Sequence, residues 1–314
     1  MTVYKAAEEP RRTAPTPDPS DRSRSRRAPG IPKTIWAMVL PAFLLFFFFH
    51  TVPVLTGIFY SFTNFAGYGE WRFVGFSNYV NLFRDERVFS AYRFTFWFAL
   101  VSTVLVNVIA LAIAVGLNAR IKLKTTFRAV FFLPHVLAIL IVGYVFNYMF
   151  ANSLPTIAER MGITALSASI LANEDLAWVG VVILAVWQAA AFNIILYLAG
   201  LQTVPSEVYE AANLDGASSW QQFLRITFPL IGAFFTINMV LSLKNFLQVF
   251  DHIVALTNGG PGTATESISL LIYRGGLQGG EYAYQTANAV VYLIAIVVLS
   301  LIQFRILQRR EASF

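Results

Sequence analysis

The chain contains no cysteine, which excludes a disulfide framework, a thiolate metal site and a cysteine nucleophile. Charge is also scarce, at 13% of the 314 residues. No Gly-Lys pair occurs, so the G-x-x-x-x-G-K-[ST] phosphate loop is absent and this chain is not expected to hydrolyse ATP itself. Neither H-E-x-x-H nor G-x-S-x-G is present, which removes the usual signatures of zinc- and serine-dependent hydrolysis. The long apolar runs hold no Asp or Glu in their interiors, where a proton-coupled carrier normally needs one. No strong internal repeat of the kind seen in many secondary transporters appears.

What fills the chain is apolar: 57% of residues are hydrophobic and 15% aromatic. Six runs, approximately 34–62, 92–118, 129–151, 178–200, 226–250 and 285–307, reach the about 20 mainly apolar residues that a bilayer-spanning helix needs. The expected fold is therefore all-α, an integral membrane protein with six transmembrane helices and no large soluble domain. Two regions are expected: a disordered basic tail over 1–33, rich in Pro, Ser, Thr and Arg, and a membrane domain over 34–314.

The net charge of +6 does not point to nucleic acid, because of where it sits. Sixteen Lys and Arg fall in the tail, the loop after run two, the loop after run four and the C-terminus; six fall in the alternate loops, and Lys244 lies within a run. That asymmetry is the positive-inside pattern. It predicts cytoplasmic N- and C-termini and puts the 201–229 loop on the same side.

That loop, LQTVPSEVYEAANLDGASSWQQFLRITFP, reads as two short helices. Pro205 suits a first helical turn, and Glu207 and Glu210 lie near the positive helix start. Gly216 can turn the chain. Ser218 with Gln221 forms a capping-box pattern opening a second helix over 218–226, which Pro229 ends or kinks. Glu210-Ala211-Ala212, three residues, Gly216, nine residues, Ile226, two residues, Pro229 resembles the EAA motif of ATP-binding-cassette importer permeases, with Phe228 in place of the usual Leu.

Span five carries Asn238, Ser242, Asn245 and Gln248 within about 120° of one helical face. Four uncharged hydrogen-bonding groups on one face suit a hydroxyl-rich ligand without net charge. Span four adds Gln188 and Asn193, costly at that depth unless they find partners. His50, His135 and His252 are each alone and read as packing residues. Residues 64–91 form an expected external segment whose amphipathic pattern, FVGFSNYVNLFRDERVF over 73–89, suggests an interfacial helix, and 152–177 holds one short helix.

After span five, the stretch from Phe246 through Phe250-Asp251 to Thr257-Asn258-Gly259-Gly260-Pro261 resembles the signature of carbohydrate-uptake permeases of the maltose-permease first-subunit type. These resemblances cover most of the chain from about residue 36. They imply a type I importer membrane fold. Glu210, Ala211, Ala212, Asp215, Gly216, Ile226 and Pro229 would couple to an ATPase, and Asn258, Gly259, Gly260 and Pro261 would form an external gate loop. Gln188, Phe192, Asn238, Ser242, Asn245 and Gln248 are the candidates for the substrate pathway. The implied partners are a second permease, two ATPase subunits that bind ATP and Mg, an extracellular solute-binding protein and a sugar. No cofactor of this chain's own is expected, nor a metal or catalytic activity. The setting is the inner cell membrane. An importer for glycerol phosphate or a polyamine is the neighbouring alternative, and an ATP-independent channel or secondary carrier the more distant one; a membrane enzyme lacks a catalytic constellation.

Overall fold

The computed structural model describes residues 33–119 and 123–311. The expected disorder of the tail, and Arg120 and Lys122 of the basic loop, lie outside the described residues. Among the described residues the chain is helical, with one isolated antiparallel bridge between Thr63 and Phe73.

Of the described residues, 33–54 belong to a unit by themselves: helix α1 (Lys33–Phe46) runs through a wide turn, Phe47–Thr51, into the first residues of α2 (Val52–Tyr60). This segment is apolar all round, with Phe48 61% and Phe49 80% exposed. A helix of that composition belongs in lipid or against another membrane chain.

The second unit begins at Leu55. Its helices are α3 (Ser77–Leu82), α4 (Glu86–Asn118), α5 (Lys124–Val136), α6 (Ile139–Tyr148) and α7 (Leu154–Arg160). Then come α8 (Ala177–Leu201), α9 (Ser206–Leu214), α10 (Ser219–Gln222), α11 (Phe228–Leu230) and α12 (Gly232–Leu247). The last three are α13 (Asp251–Leu256), α14 (Ile268–Tyr273) and α15 (Tyr282–Glu311). The core runs between α4, α8 and α12: Phe98, Val106 and Ala110 of α4 share one buried cluster with Leu184, Ala185 and Ile194 of α8 and Phe246 and Leu247 of α12. Small residues let the helices approach. A Cβ on Gly143 of α6 would lie 2.3 Å from the Cβ of Ala255 on α13, so no larger residue fits.

Four helices are long and apolar enough to cross a membrane, and up to six spans result if each of two bent pairs counts once. Of the six expected spans, the third and fifth correspond to the bent pairs. Thr125–Val136 and Ile139–Arg160 meet at 96°, and Ser219–Leu230 and Gly232–Leu247 at 70°. Proline accounts for the first break, because it lacks an N–H and its ring collides with the carbonyl four residues back. Pro134 lies inside α5, which ends two residues later, and Leu137 turns extended at ψ 135.

Three other prolines are accommodated differently. Wide turns occupy Phe47–Thr51, Met149–Ser153 and Phe223–Thr227, and Pro53, Pro155 and Pro229 each stand two positions beyond. In every case the residue just before the proline donates its N–H five residues back: Val52 to Phe47, Leu154 to Met149, Phe228 to Phe223. The widened turn makes room for the ring without ending the helix.

The two segments expected to be external hold short helices. Only Ser77–Leu82 of 73–89 forms a separate helix; Asp85 then caps α4, accepting from the N–H groups of Arg87 and Val88 at 2.9 and 3.3 Å. A capping carboxylate satisfies donors that an interfacial helix would have left open. The 152–177 stretch holds α7 and two short 3₁₀ turns, Thr164–Leu166 and Ile170–Ala172.

Candidate functional site

The loop after α8 is built as a two-helix hairpin. Pro205 stands at the N-cap of α9 rather than within its first turn. At the other end Ala217 N–H donates to the carbonyl of Ala212 at 2.9 Å and Gly216 N–H to that of Asn213 at 3.1 Å. These are the two bonds of a Schellman motif. Ala212 is its C3 residue and Gly216 its left-handed C′ residue, at φ +75. The fixed spacing between Ala-Ala and Gly in the sequence is therefore the spacing of a helix end. Nothing lies within 4 Å of a Cβ built on Gly216, so the backbone angle, not space, demands glycine.

Ser218 then caps α10 with both arms of the capping box: its N–H donates to Gln221 Oε1 at 2.8 Å and its Oγ accepts from Gln221 N–H at 3.4 Å. The helix continues past Ile226 through the wide turn to Leu230. Gln222 Nε2 bridges the two arms, donating to Asn213 Oδ1 at 2.7 Å and to the Ala217 carbonyl at 2.9 Å. Tyr209 and Thr227 share a hydroxyl hydrogen bond of 2.9 Å. Ala212 is buried inward, while Glu210, Ala211, Asp215 and Gly216 face out. Leu214 is 90% exposed and Trp220 66%. A rigid hairpin with apolar side chains on its outer surface is suited to docking.

The polar stripe of α12 divides. Asn238 and Ser242 are buried against α8: Ser242 Oγ donates to Asn193 Oδ1 at 2.9 Å, and Asn238 Nδ2 to the Asn193 carbonyl at 3.4 Å. Asn245 and Gln248 are exposed, as is Lys244 beside them. The expected polar face is thus split, and its buried half joins α12 to α8.

Gln188 turns toward the break between α5 and α6. Its Nε2 donates to the carbonyl of Leu137 at 3.1 Å, one of the groups freed where the helix stops. Phe192, one turn on, is 40% exposed and lies 5.8 Å from the His135 ring.

Asn258, Gly259 and Gly262 all take positive φ, and the Gly260–Pro261 peptide is cis. Thr265 Oγ1 donates to the Gly260 carbonyl at 2.7 Å. Glu266, 1% exposed, is the residue that sequence reasoning missed. Arg87 grips it through two bonds of 2.8 and 2.9 Å, and Arg274 stands 3.5 Å away. Arg274 also donates to the carbonyl and Oδ1 of Asn258 at 2.7 and 2.8 Å. The turn is thus tied to a buried carboxylate. Its nearness to the Asn-Gly-Gly-Pro turn was the one available signal.

Among the described residues no three His, Cys, Asp or Glu side chains cluster as a metal would require.

Comparison with known proteins follows the same lines. Residues 109–312 match the family described as "Binding-protein-dependent transport system inner membrane component". The chain is 37% identical over 277 residues to the multiple sugar-binding transport system permease protein MsmF of Streptococcus mutans, covering 88% of this chain and 96% of the relative. It is 33% identical over 278 residues to the "Probable starch degradation products transport system permease protein AmyD" of Thermoanaerobacterium thermosulfurigenes, covering 88% and 95%. Among solved structures, a bacterial ABC transporter involved in the import of the acidic polysaccharide alginate superposes with a TM-score of 0.78 at 26% identity, covering 88% of this chain and 96% of that one. The alginate ABC transporter has also been solved with an alginate pentasaccharide-bound periplasmic protein.

Proposed function

The chain belongs to the binding-protein-dependent transport system inner membrane components, and from that membership we propose that it is a transmembrane permease subunit of an ABC importer for a sugar or oligosaccharide. Support for the sugar comes from the relatives, whose names specify multiple sugars and starch degradation products. A non-catalytic role fits the lack of a phosphate loop; ATP and Mg would be bound by two partner ATPases. A second permease completes a pathway between two six-span subunits, and an external binding protein delivers the sugar, as the complex solved for alginate suggests. The membrane is the inner cell membrane, with both termini cytoplasmic.

The observation that carries the mechanism is the hairpin of α9 and α10. Glu210, Ala211, Asp215 and Gly216 lie on its outer side, beside the exposed Leu214, and form the docking surface for the ATPase. Ala212, Ile226 and Pro229 keep the hairpin's shape and join it to α12. ATP binding closes the ATPases, the hairpin carries that motion into α12, and the cavity turns from cytoplasm-facing to outward-facing. This is a two-state element whose populations ATP and loaded binding protein bias. In the pathway, Asn245 and Gln248, with Phe192, offer exposed groups to a sugar; Gln188, Asn238 and Ser242 hold the helices that present them. Asn258, Gly259, Gly260 and Pro261 form the external gate loop.

The structural neighbour's acidic polysaccharide and the exposed Lys244 favour one second reading, an anionic solute. The test for both is ATPase activity and uptake by the reconstituted complex with a panel of loaded binding proteins, neutral oligosaccharides against uronates and glycerol phosphate. Stimulation by a neutral sugar supports the first reading. Stimulation only by anions, lost in Lys244→Gln, replaces it with the second. An assembled complex that takes up solute without any ATPase sinks both.

A further inference from the structure

Four rings form a chain of contacts from the hairpin to α12. Trp220 lies over Phe223, with ring centres 5.5 Å apart and planes at 22°. Phe223 meets Phe228 at 6.2 Å, and Phe228 meets Phe235 edge-on at 5.2 Å. All three separations fall where aromatic pairs attract beyond their buried area. The outer ring, Trp220, is 66% exposed on the hairpin. Phe235, at the inner end, is half-buried and packs against the core.

The middle contact depends on the wide turn. An unbroken α-helix points residues five apart about 140° away from each other. Across Phe223–Thr227 the turn is widened, Phe228 N–H donates to the Phe223 carbonyl, and the same two residues also meet through their rings. The inner contact spans the 70° bend between Ser219–Leu230 and Gly232–Leu247, where Ile231 leaves helical geometry at φ −92 and ψ 11. A widened turn and a bend are where a helix yields first. The side-chain bonds that tie the arms of the hairpin, from Gln222 and between Tyr209 and Thr227, end before that bend. Phe228 stands where the importer motif usually has Leu, so the motif does not supply this ring. Beside Phe235, Phe234 presses α12 on the end of α8: a Cβ on Gly200 would lie 2.7 Å from Phe234 Cγ.

We propose that these four rings form a strut that carries movement of the hairpin across the wide turn and the bend into α12. Trp220 is its outer end, on the hairpin that meets the ATPase. Phe223, Phe228 and Phe235 are positioning residues, which act on the pathway through α12. Without the rings, a displacement of the hairpin is taken up at the turn and at Ile231. The strut rests on the importer reading above, which supplies the ATPase that moves it, and it carries the effect of a loaded binding protein back along the same line.

The test uses the whole complex in liposomes, with the binding protein loaded with the most stimulating solute of the panel above. The quantity read is the ratio of ATPase activity with and without that protein, per ATPase co-purified. Phe228→Leu and Phe235→Leu keep apolar bulk and lose one ring each. Each is expected to lower the ratio about twofold to tenfold, the worth of one aromatic pair. The double variant lowers it no further, because both substitutions remove the same contact. Phe228→Tyr keeps the ring and the ratio. A wild-type ratio in both Leu variants overturns the strut, and so do losses that add in the double variant. A melting temperature that falls in step with the ratio across the variants also overturns it, since packing alone then explains the loss. Absence of stimulation in the wild type sinks the importer reading itself, and the strut with it.

Discussion

Arg87 and Glu266, 179 residues apart, meet in a two-bond ion pair of 2.8 and 2.9 Å that joins the first turn of α4 to the segment between α13 and α14. The pair is lopsided, with the Arg87 side chain 54% exposed and that of Glu266 1%. Removing the exposed partner leaves the buried carboxylate with Arg274 alone, 3.5 Å away, whereas removing the carboxylate releases Arg87 to water. Arg87→Met is therefore expected to cost about 2 kcal/mol, less than the about 3–5 kcal/mol for breaking a fully buried pair, because Arg87 is half exposed and Arg274 remains. The double variant Arg87→Met/Glu266→Gln should recover part of that loss. Thermal unfolding of the purified complex measures the cycle; additive losses would show that the pair is not coupled.

Gly216→Ala forces a side chain into the left-handed region at φ +75, at a cost of about 1–2 kcal/mol. Because open space surrounds the position, Gly216→Asn should cost less. The expected outcome is normal membrane insertion with reduced sugar-stimulated ATPase in the order wild type, Asn, Ala. Equal activity in all three would remove the hairpin from the coupling route.

Leu214 at 90% exposure contributes almost nothing to this chain's own packing. Leu214→Ala should leave thermal unfolding of the isolated permease unchanged and reduce ATPase co-purification about tenfold, as loss of a central apolar anchor does. Unchanged assembly would place the docking contact elsewhere on the hairpin.

Ser242→Ala and Asn193→Ala break one interhelical bond of 2.9 Å and should each lower stability by about 0.6–1.7 kcal/mol. Asn245→Ala and Gln248→Ala, on exposed side chains, should leave stability unmoved and raise the KM for transport. Uptake kinetics beside melting curves separate the two pairs, and a reversed pattern would exchange their roles.

Gln188→Leu withdraws the donor that meets the Leu137 carbonyl at 3.1 Å. A loss of about 0.5–1.5 kcal/mol is expected, read as faster hydrogen exchange confined to residues around the α5–α6 break. Uniform exchange across α5 and α6 in both proteins would show that the break needs no such cap.

Much of this was legible before any coordinates. Ser218 and Gln221 formed the capping box that their spacing announces, and Ala212 and Gly216 closed a helix end because the Schellman bonds run between fixed positions. Local chemistry of that kind is written in adjacent residues. Asn238 and Ser242 were harder, since one helical face can be turned toward a neighbour or toward a pathway, and only Asn193 on α8 decides. Glu266 was hidden for the same reason: its partners lie 179 and 8 positions away, and no short motif connects them. The break in span three had Pro134 in view, yet adjacent residues do not say whether an interruption or a wide turn, as before Pro229, absorbs the ring.

Those wide turns change how the sequence must be read as a wheel. Each inserts one residue into the count, so side chains beyond it are rotated by about 100° from where an unbroken α-helix would point them. A face traced from Trp36 does not continue past Thr51, nor one from Ile139 past Ser153. Substitutions meant for lipid on the far side of Pro53, Pro155 or Pro229 would strike a different azimuth. Alignments that slide by one residue at these points would keep the letters matched and exchange the faces.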